Sequence, residues 1–144
     1  MTTVGSSFNT ISGVKKLDGS TGEIKHTAGQ VLLIDFWATW CPPCQRPMAH
    51  NQEMVTKNAA TWSGKVRIIG LSIDDDVATV RSHVTAKGWT SVEHYQDNGG
   101  AASDAWGVTG VPHCVLIGKD GKITWRGHPA SVDLEAQINA LLAK

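Results

Sequence analysis

Val31-Leu32-Leu33-Ile34-Asp35-Phe36-Trp37-Ala38-Thr39-Trp40-Cys41-Pro42-Pro43-Cys44 is the stretch whose reading decides the fold. Val31 to Ala38 shows no polar and apolar alternation, so it is expected to be a central strand covered on both faces, with Asp35 its single charged member. Cys44, Met48, Val55 and Ala59 then fall at helical spacing, which predicts a helix from about Pro42 to Asn58. Pro42 and Pro43 are tolerated in a first turn, where amide hydrogens have no intrahelical acceptor; Pro47 lies deeper and is expected to kink the helix. Cys-x-x-Cys at such a strand-to-helix junction has the placement of a redox dithiol.

Upstream, residues 1–30 are polar and rich in glycine, serine and threonine, with short candidate strands at Phe8–Ile11, Val14–Leu17 and Glu23–His26. Asp18-Gly19 and Thr21-Gly22 supply turn chemistry for a small edge hairpin. Downstream, Val66–Ile73 reads as a second buried strand, and Asp74, Asp75 and Asp76 offer a cap to a helix with a Val77, Val80, Val84 stripe. Three consecutive carboxylates do not converge easily on a cation. Gly88 stops that helix, Val92–Tyr95 is a short strand, Asn98-Gly99-Gly100 a turn and Ala101–Trp106 a short helical segment. Cys114–Ile117 and Ile123–Arg126 form a hairpin through Lys119-Asp120-Gly121-Lys122. Ser131 is the expected cap of a last helix carrying Leu134, Ile138, Leu141 and Leu142. These elements make one α/β domain over the whole chain, a three-layer sandwich with a mixed sheet, parallel in its centre and antiparallel at one side, plus an N-terminal β extension.

Composition narrows the function. A chain of 144 residues has room for one core without staples. Lys plus Arg equals Asp plus Glu at 13 each, so no broad field draws nucleic acid or acidic lipid. The longest apolar run is far below the roughly 20 residues that span a bilayer, and Met1 to Asn9 has no basic or apolar leader region. An odd count of three cysteines opposes a disulfide scaffold and suits a reducing compartment. A cytoplasmic, monomeric protein without cofactor, metal, nucleic acid or membrane partner is expected, although an exported chain lacking its leader reads the same way.

At the dithiol, the positive helix end stabilises a thiolate on Cys41, below the usual thiol pKa of about 8.5, which makes Cys41 the attacking sulfur. Cys44, almost one turn on, is placed to resolve the mixed disulfide. Half of a zinc site completed by Cys114, His113 or His50 is the competing reading; the two prolines, the preceding strand and the lack of a second Cys-x-x-Cys favour exchange. Asp35, if buried, has a raised pKa and passes a proton to or from Cys44; the bland alternative is a solvated carboxylate at a sheet edge. Trp40 is expected to be an exposed platform for partners, and Trp37 is equally suited to the core.

The chain resembles the thioredoxin superfamily, and within it the TlpA/ResA, tryparedoxin and nucleoredoxin branch. The matching segments are Val31 to Cys44, Ile69 to Asp75, and Trp106 to Lys122 with its Gly110-Val111-Pro112. The resemblance implies a thioredoxin-like fold over about residues 5–143, a cis-proline at Pro112 facing the dithiol, and a Val111 backbone that pairs with an extended substrate segment. Composition alone favours a trans bond there. By the same resemblance Asp35 is the buried acid near the second cysteine. Three departures stand out. Pro47 falls six residues after Cys41, whereas the family's kinking proline falls at the position of Ala49. The lysine that thioredoxin places near its acid would fall around Gly70. His113-Cys114 replaces a small or hydroxylated pair; strand parity puts Cys114 on the Pro112 side as a buried filler and turns His113 away.

The expected function is protein thiol–disulfide exchange in the reducing direction, with Cys41, Cys44 and Asp35 carrying the chemistry and Trp40, Pro42, Val111 and Pro112 the substrate. Its partners are client protein disulfides and an upstream dithiol reductant. A thiol peroxidase is a rival, weakened because Ile34 stands where that family's proline belongs. A binding module using Trp40 and Pro112 is the non-enzymatic rival.

Overall fold

The computed structural model describes residues 2–144; Met1, part of the stretch read for a leader, lies outside the described residues. Its elements are β1 (Ile11–Lys16), β2 (Thr21–Ile24), β3 (Val31–Trp37), α1 (Pro42–Lys57), α2 (Ala59–Trp62), β4 (Val66–Ser72), α3 (Val77–Lys87), β5 (Glu93–Gln96), α4 (Ala101–Ala105), β6 (His113–Ile117), β7 (Ile123–Gly127) and α5 (Leu134–Leu142). The strands form one seven-stranded sheet in the order β2-β1-β5-β4-β3-β6-β7. β3 runs parallel to β4, and β4 to β5; β6 and β7 are antiparallel on one flank and β1 and β2 on the other. The antiparallel part thus lies on both sides, because the N-terminal hairpin docks beside β5.

Every residue of β3 is buried, as its uninterrupted apolar run requires. Its alternate side chains divide the core. Val31, Leu33 and Trp37 face Met48 and Met54 of α1, Val80 and Val84 of α3 and Ile138 of α5. Leu32, Ile34 and Phe36 face Ala102, Trp106 and the N-terminal hairpin. The second outer layer is therefore thin, consisting of α4 and the incoming chain. That chain also lies along β7: Ile123 N donates to Ser6 O at 2.9 Å, Gly5 N to Ile123 O at 2.8 Å and Phe8 N to Gly121 O at 2.8 Å.

Several local expectations shift. Phe8–Ile11 is no strand, because residues 5–8 pair with Gly121–Ile123 at the entry to β7 instead and β1 begins at Ile11. The first hairpin turns around Gly19, whose φ of 88° suits glycine, while Thr21 and Gly22 belong to β2. Of the aspartate triplet only Asp76 caps α3, accepting from Ala78 N. Gly88 closes α3 in the left-handed conformation. Asp133, not Ser131, caps α5, because Pro129–Ser131 forms a 3-10 turn of its own. The helix after the dithiol continues through Pro47 as a single element, and its buried stripe is Cys44, Met48, Asn51 and Met54, leaving Val55 half-buried and Ala59 exposed.

Candidate redox site at the head of the first helix

β3 ends at Trp37, the chain turns through Ala38–Trp40, and Cys41 N donates to Ala38 O at 3.2 Å just before α1 starts. Cys41 occupies the N-cap with extended backbone (φ −95°, ψ 107°), and the first turn of α1 carries no acidic residue to oppose the positive helix end. Pro42 and Pro43 contribute no amide hydrogens, so the field at Cys41 comes from the dipole of the whole helix more than from free donors.

Cys41 and Cys44 are joined by a disulfide, with their Cα atoms 5.3 Å apart. Cys44 is fully buried, whereas Cys41 keeps a trace of exposure at 4%. Across from them the Val111–Pro112 peptide is cis, and Val111 O lies 3.7 Å from Cys41 Sγ. The structure thus brings Cys41, Cys44, Val111 and Pro112 together. Trp40 is 65% exposed, a rare exposed large hydrophobic. With Pro42, Ile73, Val108 and Val111 it lines a mostly apolar groove of about 420 Å³ that includes Cys41. Trp37 belongs to the core.

Asp35 is fully buried on the dithiol face of the sheet, which removes the edge alternative. Asn51 Nδ2 donates to its Oδ2 at 2.8 Å. Among the described residues its Oδ1 accepts no hydrogen bond of conventional geometry, although the Cys114 thiol, a weak donor, lies beside the carboxyl on the neighbouring strand. Burial raises the Asp35 pKa to about 7 against the downward pull of Asn51 and Cys114. Cys114 is a free, buried thiol, pushed well above its ordinary value first by burial and then by Asp35. On the other side of Asp35, Gly70 leaves space for the His94 imidazole, so no lysine accompanies the acid. His113 sits on the opposite face near Phe36 and accepts from Arg126 Nε at 3.1 Å; burial and then Arg126 lower its pKa.

Two supporting residues, Asn51 and Gln45, went unmarked in the sequence, and Asp74, expected there to cap a helix, has another role. Asn51 continues the Cys44, Met48 spacing, and a polar residue on a buried stripe opposite a lone acid was its signal. Asp74 is buried; it accepts from Thr39 N at 2.9 Å, Thr39 Oγ1 at 2.6 Å and Ser72 Oγ at 2.5 Å, and so anchors the loop before Cys41. Gln45 bonds back to the same loop, and nothing in its sequence context marks it.

Comparison with known proteins agrees with this geometry. The family model described as thioredoxin-like matches residues 29–123. The thiol-disulfide oxidoreductase ResA of Bacillus thuringiensis (strain Al Hakam) is 32% identical over 110 residues, covering 76% of this chain and 61% of that protein. ResA of Bacillus cereus (strain ZK / E33L) is 30% identical over 137 residues, covering 89% and 73%. Among solved structures, the thioredoxin domain of a thiol-disulfide oxidoreductase from Bacteroides vulgatus superposes with a TM-score of 0.79 at 20% identity, over 97% of this chain and 98% of that one. The chain spans about three-fifths of the length of the first of these relatives. A central β3 feeding Cys-Pro-Pro-Cys into α1, a cis Val111–Pro112 bond facing the disulfide, and these matches together make the chain a member of the thioredoxin-like family.

Proposed function

We propose that the protein is a protein thiol–disulfide oxidoreductase that reduces disulfides of client proteins, the whole chain acting as one thioredoxin-like unit. The observation that carries this reading is the Cys41–Cys44 disulfide at the head of α1, with its Cys41 sulfur opening beside Trp40 and the Val111 carbonyl.

In the reduced protein the Cys41 thiolate attacks one sulfur of a client disulfide. A Cys41–client bond forms, the client S–S bond breaks and the first client thiolate leaves. Cys44 then loses its proton to the Asp35 carboxylate, directly or through water, and attacks Cys41 Sγ. The Cys41–Cys44 bond forms and the second client thiolate leaves, so two electrons have passed from the dithiol to the client. A pKa of about 7 leaves Asp35 divided between its two forms near neutrality, which suits it to take and return that proton. The client's extended segment lies against Trp40, Pro42 and the backbone at Val111–Pro112, its disulfide in the apolar groove.

An upstream dithiol then reduces the resting disulfide. This direction belongs to a reducing compartment such as the cytoplasm, and the protein works as a monomer. Among the described residues no helix is long and apolar enough to cross a membrane. Insulin reduction driven by dithiothreitol, compared among wild type, Cys41→Ser and Cys44→Ser, tests the chemistry. Loss of turnover in both, with mixed disulfides accumulating on Cys44→Ser alone, is expected; unchanged turnover in both defeats it.

A further inference from the structure

Gln45 stands one residue past the dithiol, half-buried on α1. Its side-chain nitrogen faces three carbonyl oxygens of the loop that delivers the attacking sulfur: Cys41 O at 2.9 Å, Thr39 O at 3.3 Å and Ala38 O at 3.4 Å. Carbonyls only accept, so the group facing them is the NH2, whose two hydrogens are shared among three acceptors. The amide oxygen therefore points the other way, and 2.7 Å from it lies His83 Nε2 on α3. That oxygen accepts as well, so His83 carries its hydrogen on Nε2. The imidazole packs against both Trp37 and Trp89, with ring centroids 5.8 Å and 5.5 Å away, and the two indoles also touch each other. A chain of contacts thus runs from two core tryptophans through His83 and Gln45 to the backbone of Cys41.

We propose that Gln45 and His83 are positioning residues for the attacking sulfur, Gln45 gripping the Cys41 loop and His83 acting through it. Asp74 holds the same loop through the amide and hydroxyl of Thr39, whereas Gln45 holds its carbonyls, so each fixes groups the other does not reach. A thiol that must meet a disulfide in line loses rate when its backbone wanders.

This inference rests on Cys41 being the attacking group, and it is tested with a small disulfide that needs no client. The rate constant for reduced protein reacting with 2-hydroxyethyl disulfide is measured by stopped flow for wild type, Gln45→Met, His83→Phe, His83→Gln and the Gln45→Met/His83→Phe pair. Methionine keeps the length of Gln45 without its donors and is expected to slow the reaction about five- to tenfold. Phenylalanine keeps the ring against the tryptophans but removes the donor, and is expected to slow it comparably; glutamine restores a donor and the rate. The double variant is expected to match Gln45→Met. If His83→Phe reacts like wild type while His83→Gln is slow, the histidine merely packs, and the proposal falls. Additive losses in the double variant overturn the claim that His83 works through Gln45. A wild-type protein inert towards both the small disulfide and insulin refutes the proposed function itself, a different result from either.

Discussion

Replacing Asp35 by asparagine should change how stability depends on pH, and the structure fixes both sign and size. In the unfolded chain this carboxyl ionises at its ordinary value of 3.8, and in the fold burial raises it to about 7. Below pH 3.8 it is protonated in both states, so its contribution to stability is intact there. Between the two values the folded chain retains a proton that the unfolded chain has released, and each unit of pH then favours unfolding by about 1.4 kcal/mol. Above about 7 the loss is complete. The interval from 3.8 to about 7 therefore amounts to a loss on the order of 4 kcal/mol. That is a large part of the roughly 5 to 15 kcal/mol by which domains are stable. Asparagine matches the shape, is neutral throughout and keeps an acceptor for Asn51. Urea unfolding of the oxidised wild type and Asp35→Asn at half-unit steps from pH 4 to 8.5 measures the difference, in which all other titrating groups cancel. The variant is expected to gain steadily on the wild type, by about 3 to 4 kcal/mol across that range. Parallel stability curves would refute the reasoning, because they would mean that Asp35 ionises as freely in the fold as in the unfolded chain.

Asp74→Ala should destabilise the protein by about 2 to 4 kcal/mol in urea unfolding, because it removes three acceptor contacts and leaves buried Ser72 and the Thr39 amide unmatched. Gly70→Ala places a methyl 2.9 Å from His94 Nδ1 and 3.0 Å from Met48 Cε. Calorimetry should show a loss of about 1 to 3 kcal/mol, even though this residue sits in a strand where alanine ordinarily does better than glycine. Cys114 has no exposed surface and a thiol pKa pushed upward, so the oxidised protein should show no thiol titratable with Ellman's reagent when folded and one in guanidinium. A folded-state reaction within minutes would show that Cys114 is reachable.

The centre of the fold was legible because local and tertiary demands coincide there. Val31 to Trp37 is apolar at every position but one, and only a strand covered on both sides accommodates that. The same pattern isolates Asp35 as the acid that burial must perturb. Cap positions were legible as a class but not by residue. Asp74, Asp75 and Asp76 are equally good caps on paper, and only the path of β4 into its loop assigns Asp76 to the helix and draws Asp74 under Thr39. Ser131 lost its role to Asp133 in the same way, because Pro129 starts a turn that delays α5. The supporting shell was hidden for another reason. Asn51 and Gln45 act through contacts across the fold or around a helix turn, and polar helix residues usually face water. Phe8 misled because its apolar ring packs near Trp106, with centroids 5.6 Å apart, without its backbone joining a named strand.

The way residues 5–8 pair with Gly121–Ile123, at the entry to β7, has a consequence for handling the protein. A bare outer strand presents unpaired N–H and C=O groups that any other extended polypeptide can match. Here Gly5, Ser6 and Phe8 already occupy those of Gly121 and Ile123. Trimming the chain up to Phe8 would strip that cover, leaving the dithiol untouched while baring the N–H and C=O groups of Gly121 and Ile123 to pairing with another molecule.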